Sequence, residues 1–168
     1  LISHLESNGH MDEAHTIPGI ITRNTTEKMT SLFSQLPHLS DLPIPDYDDY
    51  FNTLGAFSHE NRYFATLTGE SSRGCWRQGR AQSDKNNGCA FCNLNTQWDG
   101  YRHKAPQQVV ADIDVLTTRH QTLSVAFMDN VLPPKSTNDI FSKLEQLDKN
   151  LKAFAEIRAT TKLDELAN

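Results

Sequence analysis

Apolar and polar residues alternate in a regular way only after Arg62. Residues 63–68 are mostly aromatic, apolar or β-branched and predict a strand. Residues 106–120 begin with a proline that suits a first helical turn, and they repeat apolar residues at helical spacing. The apolar face of this predicted helix consists of Val109, Val110, Ile113 and Leu116.

The alternation continues through the following residues. Residues 122–128 form a short, nearly continuous apolar run, as expected of a strand that is buried on both faces. A second helix follows, with Ser136 or Thr137 as its N-cap. Its apolar face is Ile140, Phe141, Leu144, Leu147 and Leu151. A third strand over residues 152–158 completes a βαβ series, which predicts an α/β fold with parallel strands and flanking helices.

The predicted third strand has two chemically different faces. One face carries Ala153, Ala155 and Ile157, and the other carries Phe154, Glu156 and Arg158. Because amphipathic helices cover an apolar strand face, we expect the small apolar set to lie under the helices. Glu156 and Arg158 would then face the inner side, where two charges are costly unless they pair or meet a polar ligand. They are candidate ligand-binding residues, and a buried structural ion pair is the alternative.

The front of the chain has a different character. Its first sixty residues are polar, and residues 37–50 are rich in proline and aspartate. Prolines at this density prevent a regular helix or a central strand, so we predict an irregular linker that packs along a surface. The chain starts with Leu1 and ends inside a helical pattern. We therefore expect it to be a piece of a longer protein.

Composition and charge narrow the functional classes. The net charge of −5 argues against a binder of duplex nucleic acid, which normally has a basic surface. No apolar run approaches the roughly 18 residues of a membrane helix, and no signal peptide is visible. Clustered cysteines without a secretion signal indicate a cytoplasmic protein, because thiols bind metals in a reducing compartment rather than form disulfides.

All three cysteines and both tryptophans lie in residues 70–104, which contain ESSRGCW and GCAFCNLNTQWDGYRHK. Cys75, Cys89 and Cys92 offer three thiolates, a set that suits a soft metal or an iron–sulfur cluster. An iron–sulfur cluster held by three cysteines leaves one iron open to a small molecule. A structural zinc site with His103 as the fourth ligand is one alternative. Thiols without any ligand role are another.

This segment resembles the cobalamin-dependent radical S-adenosylmethionine (SAM) enzymes that mature ribosomally synthesised peptides of the bacteriocin type. ESSRGCW, CAFCNLN, WDGYRHK and FMDN carry the resemblance, with IPGIITR and LSDLPIPDYDDYF in the front half. It implies that residues 1–59 are the tail of an upstream cobalamin-binding domain plus a linker. Residues 60–168 would be the N-terminal half of a radical SAM domain, a partial (βα) barrel. The insert between Cys75 and Cys89 is longer than that family's loop.

The resemblance also implies cofactors. Cys75, Cys89 and Cys92 would ligate a [4Fe-4S] cluster whose open iron binds SAM, and one-electron reduction would cleave the SAM sulfonium. Phe91 matches an aromatic residue that packs near the adenine, although a plain hydrophobic plug is the alternative. Trp76, Trp98 and Tyr101 would shield the cluster from water.

Further residues match positions that contact SAM in this family. Asp129 and Asn130 end the second strand, where related enzymes hold the methionine amino group; an ordinary strand-ending turn is the alternative. Glu156 and Arg158 match a third-strand region that contacts the ribose or the carboxylate. His103 and His120 are most simply surface or helix-end histidines.

The implied reaction is methylation of an unactivated carbon in a peptide substrate, with methylcobalamin as the methyl donor. An electron donor such as flavodoxin or ferredoxin would be the protein partner, and we expect neither a nucleic acid nor a membrane partner. A structural zinc-binding interaction module and an inactive fragment remain the alternatives.

Overall fold

The computed structural model of the chain describes residues 35–58, 63–76 and 100–159, and the single residues Ile20, Glu60, Cys92 and Thr161. The predictions for Cys89, Phe91 and most of residues 1–34 lie outside this part of the chain. The helices are α1 (Asp48–Ala56), α2 (Pro106–His120) and α3 (Thr137–Glu145). The strands are β1 (Leu67–Gly69), β2 (Ser72–Arg73), β3 (Arg102–His103), β4 (Ser124–Phe127) and β5 (Lys152–Phe154).

Three of these strands form a parallel sheet in the order β1-β4-β5. The two remaining strands, β2 and β3, form a separate antiparallel pair. The mixed α/β class and the parallel strands with flanking helices were both predicted from the sequence, and both are confirmed. The sheet does not close into a barrel within the described residues.

The core lies where α2 and α3 pack against each other and against one face of the sheet. On β4, Val125 and Phe127 are two residues apart and therefore point to the same face, where they are 3% and 1% exposed. The other core residues are Val109, Val110, Ile113, Leu132, Ile140 and Leu144. The helix predicted over residues 106–120 and its apolar face are confirmed, because the apolar spacing that identified it is the spacing that buries it. The second helix is shorter than predicted. It ends at Glu145, so Leu147 and Leu151 pack against the core from outside the helix.

The predicted orientation of the third strand is confirmed only in part. Ala153 is paired with Val125 and Phe154 with Ala126, so the two side chains point to opposite faces. Of the three residues expected under the helices, Ala155 packs against the core, whereas Ala153 and Ile157 are exposed. Phe154 is 63% exposed. The strand itself ends at Phe154 instead of Arg158. Glu156 is exposed, so it does not belong to a buried ion pair.

The predicted first strand also proved shorter than expected. Tyr63 and Phe64 are 76% and 79% exposed and precede β1, which starts at Leu67. The reason is the length of its partner, because β4 begins at Ser124 and its Val125 pairs with Leu67. Aromatic and apolar residues favour a strand only where another strand supplies hydrogen bonds.

Residues 36–47, here called the strap, run along α2 and the outer edge of β1. Leu39 is buried, the Arg102 guanidinium donates to the Leu36 carbonyl, and Gln108 Nε2 donates to the Ser40 carbonyl at 3.1 Å. Tyr47 reaches β1, where its hydroxyl contacts the Thr68 carbonyl at 3.1 Å. The predicted packing of this region along a surface is confirmed. Covering the outer edge of β1 also keeps that edge from pairing with another chain.

The prediction of an irregular linker over residues 37–50 is wrong at its end, because α1 starts at Asp48. The last proline is Pro45, and the Asp46 carboxylate accepts a hydrogen bond from the Asp48 backbone N–H at 2.9 Å. This contact satisfies a backbone donor that the first helical turn leaves unpaired. Asp48 and Asp49 add negative charge where the helix dipole favours it.

His120 lies at the end of α2, as predicted, but its side chain is only 4% exposed. Its ring stacks on Phe51 of α1, with 4.4 Å between ring centroids. The neighbouring Arg119 forms a salt bridge with Asp48. Together these contacts hold α1 against the C-terminal end of α2. None of the helices in the described part of the chain is long and apolar enough to span a membrane.

Candidate functional site

The loop that holds all three cysteines is closed at its base by β2 and β3. Ser72 pairs with His103 and Arg73 pairs with Arg102. The Lys104 backbone N–H extends this pairing by donating to the Ser71 carbonyl at 2.8 Å. The two ends of the cysteine-containing segment therefore lie side by side, next to the C-terminal end of β1.

Glycines stand where the loop leaves each of these strands. Gly74 follows β2 with a φ of 87°, and Gly100 lies two residues before β3 with a φ of 72°. These left-handed conformations are disfavoured for residues with a Cβ atom, so glycine is the residue that allows the chain to turn there. Cys75 directly follows the turn at Gly74, so this turn determines where Cys75 lies.

Asp129, at the end of β4, connects this segment to the sheet. Its carboxylate is 3% exposed and accepts hydrogen bonds from the Ser71 backbone N–H at 3.1 Å and the Ser71 hydroxyl at 2.7 Å. The Ser72 hydroxyl donates to the same carboxylate at 2.5 Å. A buried carboxylate needs such donors, since an unpaired charge is costly away from water. Asp129 thus fixes the two residues that lead into β2 and Cys75.

The end of the third strand reaches the same place. Arg158 is half-buried, and its guanidinium carbon lies 5.0 Å from the ring centroid of Trp76, a cation–π contact. Trp76 directly follows Cys75 and is 39% exposed. Residues that follow the carboxyl ends of β1, β4 and β5 therefore all lie near the first cysteine.

Tyr101 joins this cluster of side chains from the other end of the loop. Its hydroxyl donates to the Val131 carbonyl at 3.4 Å. Burial raises the pKa of Tyr101 to about 12, with further raising contributions from the charges of Asp129 and Cys75 and a lowering contribution from a hydrogen bond with Ser72. The Tyr101 phenol is thus half-buried beside the segment that leads to Cys75.

The other predicted site residues differ in their exposure, and some lie outside the described part of the chain. Cys75 is half-buried and Cys92 is exposed. Asn130 and Glu156 are exposed. Among the described residues, no group of three or more His, Cys, Asp and Glu side chains could hold a metal ion. Cys89 and Phe91 lie outside this part of the chain, so the three cysteines are not brought together within it.

His103, the predicted fourth ligand of a zinc site, is exposed on β3. Its Nδ1 lies 3.2 Å from the Lys104 carbonyl, an arrangement that leaves Nε2 as the nitrogen for a ligand. However, its cross-strand partner is Ser72, three residues before Cys75. Three residues span about 10 Å along a strand, so the β2–β3 pairing sets His103 back from the first cysteine.

Sequence reasoning missed Ser71 and Ser72 as organisers of this edge, although both lie in the motif ESSRGCW. A signal was present. Small hydroxyl residues after one parallel strand, and an aspartate after the next, meet at the same edge of the sheet. The pairing of Lys104 with Asp112 on α2 was also missed, because these two side chains meet only through the tertiary fold.

Comparisons with known proteins found no match to any family model, any curated protein or any solved structure.

Proposed function

We propose that this chain is the N-terminal half of a radical SAM domain with a [4Fe-4S] cluster on Cys75, Cys89 and Cys92. The observation that carries the proposal is the convergence of three parallel strands on the first cysteine. Asp129 after β4 holds the segment that leads to Cys75, and Arg158 after β5 stacks on Trp76. Open α/β sheets bind their ligands outside the carboxyl ends of the strands.

The donor set fits such a cluster. Thiolates are the usual ligands of iron–sulfur clusters, and the chain's three cysteines all lie within the loop that β2 and β3 close. When bound, the cluster would supply the electron that cleaves SAM. Cys75 would be the ligand anchored to the sheet, and Trp76 and Tyr101 would limit the access of water to it.

The geometry suggests different roles for the two acidic residues that we expected to contact SAM. The Asp129 carboxylate already accepts three hydrogen bonds from Ser71 and Ser72 and is almost completely buried. We therefore assign it to positioning the segment before Cys75. Asn130 and Glu156 are exposed at the same edge and remain free to meet a cofactor. Arg158 would hold Trp76 in place, with its guanidinium available to a SAM carboxylate.

The whole protein, in this proposal, methylates a carbon of a ribosomally synthesised peptide in the cytoplasm, with cobalamin as the methyl carrier and a flavodoxin or ferredoxin as electron donor. Residues 1–59 would be the tail of the cobalamin-binding domain and the linker, and residues 60–168 a partial (βα) barrel. The parallel order β1-β4-β5 with α2 and α3 on one face supports the barrel assignment, because (βα) barrels consist of such units.

The test is anaerobic reconstitution of the chain with iron and sulfide, followed by absorption and EPR spectroscopy with and without SAM. We expect about four irons per chain and a reduced signal that SAM alters. Cys75→Ala, Cys89→Ala and Cys92→Ala should each lower iron content, whereas His103→Ala should not. Failure of the chain to bind iron would refute the proposal.

A structural zinc module is the second candidate, because the contact of His103 Nδ1 with the Lys104 carbonyl leaves Nε2 available to a metal. This module predicts one bound zinc per chain, no visible absorption, and a strong loss of zinc affinity in His103→Ala. Zinc binding that survives this substitution, together with a SAM-responsive cluster, would exclude the module.

A further inference from the structure

A cavity of about 190 Å³ lies at the outer edge of β1, between the strap and α2. Two of its walls are apolar. Leu42, Pro43 and Pro45 come from the strap, and Val109, Ile113 and Leu116 come from α2. No cysteine is among the described residues that line it. None of its described lining residues is one that we assign to the cluster site.

The remaining wall of the cavity is charged. Lys104 pairs with Asp112, with 2.7 Å between Nζ and Oδ2, and these side chains are only 4% and 14% exposed. Arg73 pairs with Glu70 through its Nη2, at 3.0 Å from Oε2. Removing a pair such as Lys104–Asp112 from water costs about as much as the pairing returns, so apolar residues would stabilise the fold equally well. The Lys104–Asp112 pair therefore offers the cavity a polar wall that the stability of the fold does not require.

The two ion pairs leave hydrogen-bonding capacity of both kinds. An ammonium has three donors and a guanidinium has five, while each carboxylate accepts through about four lone-pair positions. The recorded bonds within the pairs occupy only part of this capacity. The charged wall is neutral overall, with two cationic and two anionic groups. Its complement is a small molecule that carries one positive and one negative charge.

The size and the apolar walls define the rest of the ligand. Pockets for drug-sized molecules have about 300–1,000 Å³, so this cavity has room for a much smaller occupant. We propose that it binds a free α-amino acid with an apolar side chain. The amino acid's carboxylate would accept hydrogen bonds from Lys104 and Arg73, and its ammonium would donate to Glu70 and Asp112. Its side chain would lie between the strap and α2.

This inference does not depend on the cluster, so the full chain is tested without iron. The probe is L-leucine, measured by calorimetric titration and by ligand-observed NMR. Isocaproate has the same branched chain and carboxylate without the ammonium, isoamylamine has the ammonium without the carboxylate, and glycine has both charges without the side chain. We expect leucine to bind at least about tenfold more tightly than each, since each lacks a charged hydrogen bond or the apolar contact.

Two variants locate the binding. Lys104→Met and Arg73→Gln should each weaken leucine binding about tenfold. The matched control is Lys143→Gln, which removes one cation from the Lys143–Asp139 ion pair on α3. If Lys104→Met does not fold, Arg73→Gln decides, because the Arg73 side chain is 44% exposed.

Three results would overturn the inference. They are the absence of leucine binding, equal binding of leucine and isocaproate, and equal effects of Arg73→Gln and Lys143→Gln. Any of them leaves the cluster proposal untouched, because none of these measurements involves a cysteine.

Discussion

Strand β4 makes apolar contacts on its helix-covered face and polar contacts just beyond its carboxyl end. On the helix-covered face, Val125 and Phe127 pack against the apolar stripes of α2 and α3. At the carboxyl end of the same strand, Asp129 accepts three hydrogen bonds from Ser71 and Ser72. Only one residue, Met128, separates Phe127 from Asp129.

The difference separates what makes the fold from what shapes the candidate site. Apolar packing depends on the total burial of many side chains and tolerates exchange among similar ones. A buried carboxylate depends on a few donors at defined places, and losing one of its partners leaves a costly unpaired group. The helix-covered face therefore determines whether the sheet forms, and the polar edge determines where Cys75 lies.

The largest expected effect is on the apolar side. Phe127→Ala should lower the free energy of unfolding by about 3–5 kcal/mol, because Phe127 is 1% exposed and its removal leaves a cavity between the sheet and the helices. Urea denaturation followed by far-UV circular dichroism measures the loss. Phe154→Ala is the matched control on the open face, where 63% exposure predicts a change below about 0.5 kcal/mol. Equal losses would mean that the open face is also a core.

The next effect tests the polar edge. Asp129→Ala should cost about 2–3 kcal/mol, because it leaves the Ser71 and Ser72 hydroxyls and one backbone N–H without their acceptor. It should also lower iron incorporation in the reconstituted protein, which a loss of stability at Phe127 should not do at a temperature where both variants are folded. Asn130→Ala, at an exposed neighbour, is the control. If iron incorporation is unchanged in Asp129→Ala, Asp129 does not position Cys75.

These two regions also differ in how far the sequence predicted them. The apolar faces of α2 and α3 repeat at 3–4 residue intervals, so a local pattern identified them, and Ala155 was correctly placed against the core. The contacts of Asp129 with Ser71, and of Lys104 with Asp112, have no such pattern. They join residues that are far apart in the sequence and that only the folded sheet and loop bring together, so secondary-structure propensity does not predict them. Tyr63 and Phe64 show the converse, since strand-like residues stay outside β1 where no partner strand extends.

A smaller effect concerns the mouth of the cysteine loop. Gly100→Ala should cost about 1–2 kcal/mol, because Gly100 has a φ of 72° and a Cβ there meets no atom within 4 Å, so backbone strain alone opposes the substitution. Gly55→Ala is the matched control in α1, where a Cβ also meets nothing within 4 Å. There the change should stabilise the protein by about 0.5–1 kcal/mol, because alanine favours helix. Thermal unfolding of both variants measures the two signs, and a shared sign would contradict the loop geometry.

The smallest expected effect is that of Tyr101 ionisation on stability, which appears only at alkaline pH. Its folded pKa of about 12 lies above the usual 10.0, so its contribution to stability is complete below about pH 10 and is lost as the pH rises toward 12. Ultraviolet titration should show a late tyrosine component, and Tyr101→Phe should remove it. The absence of a late component would contradict the burial of the Tyr101 phenol.

Helix α1 has no buried residue, and its contacts with α2 include the stacking of Phe51 on His120 and the Arg119–Asp48 ion pair. A segment with so little buried surface opens at a much lower free energy than a central strand. Its amide protons should exchange with deuterium long before those of β4. Each such opening would loosen the strap, which continues into α1 and forms one wall of the 190 Å³ cavity. The opening of α1, the described helix with the least buried surface, would thus set how quickly a small molecule enters or leaves that cavity.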